Sequence, residues 1–111
     1  MQNVLVRPQI VVIQPRGALD ATRVEKFQRQ LDVAITSDRH SKVVVDMKQV
    51  ESIDSAGLMA LISALTTAQA LNKGFSLCSV PHSVRIVLEL TQLDDVFEIL
   101  EEQVHLNQTA A

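Results

Sequence analysis

The chain has 111 residues, of which 47% are hydrophobic and 21% charged, and its net charge is −3. That is enough apolar material for one domain with its own core, and too much for a disordered chain. The acidic balance and the lack of a basic run speak against a nucleic-acid partner, and a lone cysteine, Cys78, excludes both a disulfide framework and a thiolate metal cage.

Taken in order, Val4-Leu5-Val6 and Ile10-Val11-Val12-Ile13 read as two short strands separated by Arg7-Pro8-Gln9, a turn sequence. An antiparallel hairpin at one edge of a sheet is expected there. Gly17-Ala18-Leu19-Asp20 reads as a loop. Thr22 and Glu25 have capping-box spacing, and Asp20 adds negative charge ahead of a helix over residues 21–36. Val24, Phe27, Leu31, Ala34 and Ile35 give that helix one apolar face.

Residues 42–47 form the next strand. Its unbroken Val43-Val44-Val45 run is what a strand buried on both faces looks like. A polar loop with Glu51 and Asp54 leads to Ser55-Ala56-Gly57, which opens a long helix. Leu58, Leu61, Ile62, Leu65, Ala68 and Leu71 are expected to face the sheet, with Ala56, Met59 and Ala60 on the outer face. Asn72-Lys73-Gly74 stops that helix, residues 75–80 form a strand, and Pro81-His82-Ser83 opens a helix over 84–90. A loop over 91–95, a last strand over 96–100 and a terminal helical turn over 101–106 complete a single domain, 1–106, with a polar tail, 107–111.

The order β-β-α-β-α-β-α-β predicts an α/β fold: a mostly parallel sheet of four to five strands with an antiparallel edge strand and helices packed on it. A hydroxyl on the first turn of a helix, beside an acid, at the carboxyl end of a buried strand lies where such folds place their sites. Read from the residues alone, Ser55 is either an N-cap or a reactive hydroxyl, and the two are compatible. Asp54 is a loop or cap acid, Asp46 a turn former, and Asp20 a helix cap. Met59, if exposed, has the flexible side chain that suits a docking surface.

No phosphate-binding loop, dinucleotide fingerprint or hydrolase elbow is present, so an enzyme is not expected. His40, His82 and His105 lack metal-ligand spacing, and neither metal nor cofactor is expected. No basic-then-apolar leader occurs and no apolar run approaches ~20 residues, which reads as a soluble, cytoplasmic protein without a membrane partner.

Four blocks carry a resemblance: Gly17-Ala18-Leu19-Asp20-Ala21, Val43-Val44-Val45-Asp46, Ile53-Asp54-Ser55-Ala56-Gly57-Leu58, and the run from Val84 to Asp94. In order and spacing they resemble a stand-alone STAS domain of the anti-sigma-factor antagonist type. The resemblance implies that Ser55 is phosphorylated by a partner-switching anti-sigma factor serine kinase and that a PP2C-type phosphatase reverses it. The unphosphorylated form then binds the kinase and frees the sigma factor. Asp20, Asp54, Ser55, Ala56, Gly57 and Met59 are the expected partner contacts. Ala56 stands where the family often has a second serine, and Ala18 where it often has an acid. Two other readings stay open: a STAS scaffold subunit of a transporter or signalling assembly, and a domain holding a nucleotide or small anion at the Ser55 helix start.

Overall fold

The structure, a computed structural model, describes residues 9–101. The expected first strand of the hairpin, the antiparallel edge it would make, the terminal helical turn beyond residue 101 and the polar tail all lie outside them.

The centre of the molecule is a four-stranded parallel sheet: β1 (Ile10–Ile13), β3 (Lys42–Asp46), β5 (Gly74–Cys78) and β6 (Glu98–Leu100), in the order β1-β3-β5-β6. Val11 pairs with Val43, and Val45 with Leu77. The alternation of a strand puts Val43, Val45, Phe75 and Leu77 on the face that joins the main core. Val44 and Ser76, on the opposite face, are buried as well, as the continuous valine run requires. Ser76 is kept satisfied there by donating its hydroxyl to the Glu98 carboxylate, which Lys42 Nζ also reaches at 3.2 Å.

Three helices connect the strands: α1 (Val24–Thr36), α2 (Ser55–Ala70) and α3 (His82–Leu90). Phe27, Leu31, Ala34 and Ile35 form the buried face of α1, as its periodicity predicts. The C-terminal end of α1 is closed by Lys73, whose ammonium donates to the carbonyls of Ile35 and Ser37 at 2.6 Å each. Val84 and Leu88 anchor α3. A single 3-10 turn (Leu93–Asp95) leads into β6, where a plain loop is expected from the sequence.

Two departures from the sequence reading matter for the site. The segment Gly17-Ala18-Leu19 is a strand, β2 (Gly17–Leu19), and not a loop. It pairs in parallel with β4 (Val50–Ile53), the segment expected as polar loop, to form a separate two-stranded sheet. The second departure is in α2. Ala60 is 2% exposed and Leu71 is 46% exposed, the reverse of their expected places. A projection against the sheet alone assumes one packing partner, whereas α2 also packs beside α1. Ala60, Ala64 and Ala68 are therefore a second buried row, and their small side chains permit close approach.

The capping box at α1 does not form. The helix starts at Val24, and no side chain caps it. Thr22 instead turns back, and both its amide (3.1 Å) and its hydroxyl (2.7 Å) donate to Asp20 Oδ1. Asp20 is a short polar side chain that closes a local turn more readily than a three-residue reach to a cap.

Candidate functional site at the start of helix α2

The first turn of α2 is held by Asp54. Its backbone is extended, as an N-cap requires, and its Oδ1 accepts from the amides of Ala56 (2.9 Å) and Gly57 (3.2 Å). The carbonyl of Asp54 accepts from Leu58 N at 3.0 Å, and its own amide donates to Leu19 O at 3.2 Å. The cap is thus Asp54 and not Ser55. Both residue types suit the role, and the backbone coming off β4 places the carboxylate, one residue earlier, over the free amides.

Ser55 is consequently the first helical residue. It is exposed, and its hydroxyl makes no hydrogen bond within the described residues. A serine that caps is engaged in its own helix; this one points a free Oγ outward. Met59, one turn further along the same helix face, is 58% exposed. Glu51 and Ser52, on β4, are exposed as well, and Ser83 Oγ at the start of α3 donates to Glu51 O at 3.3 Å. The surface is therefore a hydroxyl, a flexible apolar side chain and a fringe of carboxylates.

Gly57 is buried, and its place in the site is steric. A Cβ there would lie 2.5 Å from Leu19 O and 2.7 Å from Ile53 Cγ1. Only glycine lets α2 begin this close to β2 and β4. Ala56 is half-buried behind Ser55.

Asp20 reaches the site through the β2–β4 pairing. Leu19 is in register with Ile53, so the residues that follow, Asp20 and Asp54, leave the ends of adjacent parallel strands. Hydrogen bonding from the Thr22 hydroxyl holds the Asp20 carboxyl below its ordinary value, with smaller help from the Thr22 and Arg23 amides. The structure thus brings Asp20, Asp54, Ser55, Ala56, Gly57 and Met59 into one region of the molecule. The parallel pair that unites them was not legible as strands.

Asp46 sits deeper. It is buried, and accepts from the Lys48 amide (3.0 Å) and from Gln14 Nε2 (3.0 Å). It is the turn former expected from the sequence. By tying the end of β3 to the segment after β1, it also sets the path of the chain into β4. Cys78 is buried. Among the described residues no cluster of His, Cys, Asp and Glu has the makings of a metal site, and no helix is long and apolar enough to cross a membrane.

The sequence pattern of the STAS domain matches residues 2–108. A protein of Thermotoga neapolitana, a candidate anti-sigma factor antagonist, is 25% identical over 92 residues, which span 83% of this chain and 81% of that one. The crystal structure of a candidate anti-sigma factor antagonist from Thermotoga maritima superimposes with a TM-score of 0.76 at 26% identity, covering 83% of this chain and 80% of the other. The anti-sigma factor antagonist SpoIIAA of Bacillus shares the fold in both of its forms. The unphosphorylated form gives a TM-score of 0.71 at 22% identity over 91% of this chain and 88% of its own. The phosphorylated form gives 0.65 at 21% identity over 91% of each.

Proposed function

The chain belongs to the STAS domain family, and within it we propose that the protein is an anti-sigma-factor antagonist switched by phosphorylation of Ser55. The observation that carries this reading is the division of labour at the α2 start. Asp54 performs the capping, and Ser55 is left exposed with an unengaged hydroxyl. The likeness to the Thermotoga proteins and to SpoIIAA supports the same reading.

An anti-sigma factor serine kinase docks on the face made by Asp20, Asp54, Ser55 and Met59. It transfers the γ-phosphoryl group of ATP to Ser55 Oγ: the Oγ–P bond forms as the bond from the γ-phosphorus to the β–γ bridging oxygen breaks, ADP leaves, and the hydroxyl proton passes to a base of the kinase. A PP2C-type phosphatase returns the serine by hydrolysis. The kinase supplies ATP and its metal, so this chain needs no catalytic residues of its own. In the unphosphorylated form the protein holds the kinase, and the sigma factor goes free.

The energetics favour an interface switch over a refolding switch. A phosphate at the first position of a helix meets the positive end of the helix dipole, so it is tolerated by the fold. Its charge of about −1.5 to −2 adds to Asp54, Glu51 and Asp20 on the docking face. A penalty of ~3 kcal/mol from repulsion and desolvation weakens a complex more than a hundredfold. Asp54 Oδ1 already caps the amides of Ala56 and Gly57, so the helix start does not depend on the Ser55 hydroxyl that the phosphate replaces.

The test is to incubate the protein with its cognate kinase and ATP and to map the phosphate by mass spectrometry. One phosphate on Ser55, absent in Ser55→Ala, is expected. Equal labelling of Ser55→Ala overturns the assignment.

A further inference from the structure

The acidic excess of the chain is concentrated in one stretch. From α3 to the end of β6, residues 82–101, a single cation, Arg85, stands against Glu89, Asp94, Asp95, Glu98 and Glu101. That is a net −4, where the whole chain carries −3. Glu98 is engaged by Ser76 and Lys42, and Glu101 by Arg85. Glu89, Asp94 and Asp95 make no ion pair among the described residues. The same stretch holds three of the six large hydrophobic side chains exposed among the described residues: Ile86, Leu90 and Val96. Leu90, at 80%, is the most exposed of the six.

The helix that displays them is firmly seated. Val84 and Leu88 are fully buried, so Ile86 and Leu90, two residues on from each, project from the opposite side of α3, with Glu89 at the edge of their stripe. The end of the helix is closed. The Thr91 hydroxyl donates to Val87 O at 2.8 Å and to Leu88 O at 3.1 Å, and Gln92, with φ +61, turns the chain into the 3-10 turn that packs beside α3. No basic side chain stands in the last turn of α3, so the negative pole of the helix adds to Glu89 and to the two aspartates of the 3-10 turn. An ordered backbone thus presents Leu90 in an acidic setting.

Charge decides the occupant. Two copies of this face would bring acid against acid, and three apolar side chains fall well short of the roughly 1,200–2,000 Å² that a stable interface buries. An anionic lipid surface is repelled by the same charges. A short segment with an apolar stripe and lysines or arginines beside it meets both features at once. We propose that the outer face of α3 and the adjoining 3-10 turn docks a basic amphipathic helix of a partner protein, with Ile86, Leu90 and Val96 as apolar anchors and Glu89, Asp94 and Asp95 as the charged rim. The face is distinct from the Ser55 surface. Ser83, which contacts Glu51, marks the end of α3 nearest that surface, and Leu90 lies seven residues further on, about 10 Å along the helix axis.

The probe is a synthetic helical peptide of about 18 residues with leucines at helical spacing flanked by lysines, and its control carries glutamate in place of every lysine. Amide NMR of the full chain, titrated at low salt, reads the site. The result expected is saturable shifts centred on residues 86–96 with the lysine peptide, and affinity lower by about tenfold or more for the glutamate peptide. Leu90→Gln, an exposed change that leaves the thermal midpoint unaltered, weakens the lysine peptide about tenfold. Glu89→Lys combined with Asp95→Lys reverses the preference between the two peptides. Met59→Ser and Ser55→Asp leave the shifts at α3 unchanged, which keeps the result independent of the Ser55 surface and of the phosphorylation reading. No saturable shift, shifts centred outside residues 86–96, equal affinity for the two peptides, or undiminished affinity in Leu90→Gln overturns the proposal. So does a dimer in sedimentation that Leu90→Gln makes monomeric, which assigns the face to a second copy, or flotation with phosphatidylglycerol vesicles that Leu90→Gln abolishes, which assigns it to lipid.

Discussion

Replacing Gly57 with alanine sets two effects of known sign against each other. Within a helix, alanine is favoured over glycine by about 1 kcal/mol, so at an unremarkable position the change stabilises. Here the new methyl would stand 2.5 Å from Leu19 O and 2.7 Å from Ile53 Cγ1. One obstacle is backbone and the other a buried side chain, so neither yields as the tip of a flexible chain would. Overpacking of this kind costs about 1–3 kcal/mol. Relief by moving α2 away strains the 3.2 Å bond from Asp54 N to Leu19 O, which contributes about 1 kcal/mol. The sum is a net loss of about 1–3 kcal/mol, with a fall in Tm of roughly 4–8 °C for each kcal/mol in a domain of this size. Urea and thermal melts followed by circular dichroism measure it directly. A Gly57→Ala protein that melts at or above the parent refutes the claim that close approach to β2 selects glycine here.

The cap assignment makes neighbouring residues behave differently. Asp54→Ala removes the acceptor for two amides and loses about 1 kcal/mol, whereas Ser55→Ala changes the urea midpoint by less than about 0.5 kcal/mol equivalent; the reverse ranking returns the cap to Ser55. The Glu98 carboxyl is held below its ordinary value of 4.5, first by the Ser76 hydroxyl and then by Lys42. A depressed folded value means its contribution is present above the unfolded value and fades as pH falls through the folded one. The gap in urea midpoint between the parent and Glu98→Gln therefore narrows from about pH 6 to about pH 3, and a constant gap contradicts the pairing.

Much of this was readable beforehand, for physical reasons. Val43-Val44-Val45 announces a doubly covered strand because few other settings tolerate three adjacent valines. The α1 face was legible because that helix buries a single stripe. What escaped was short or dependent on distant partners. Gly17-Ala18-Leu19 has no β-branched residue and Val50-Glu51-Ser52-Ile53 exposes its two middle residues, so neither carries a strand signal. They become strands by pairing with each other across more than thirty positions. Ala60 was misplaced because a second helix, invisible to a one-face projection, covers it. Of the site, Ser55 and Asp54 were legible as a pair, but which of the two caps the helix depends on where the backbone leaves β4.

The most direct test compares the affinity of unphosphorylated and Ser55-phosphorylated protein for the cognate kinase by calorimetry, with thermal melts of both forms alongside. Affinity lower by more than a hundredfold, with melting points within a few degrees, is the predicted result. Equal affinity contradicts it, and so does a loss of binding that comes only with a collapsed melting point.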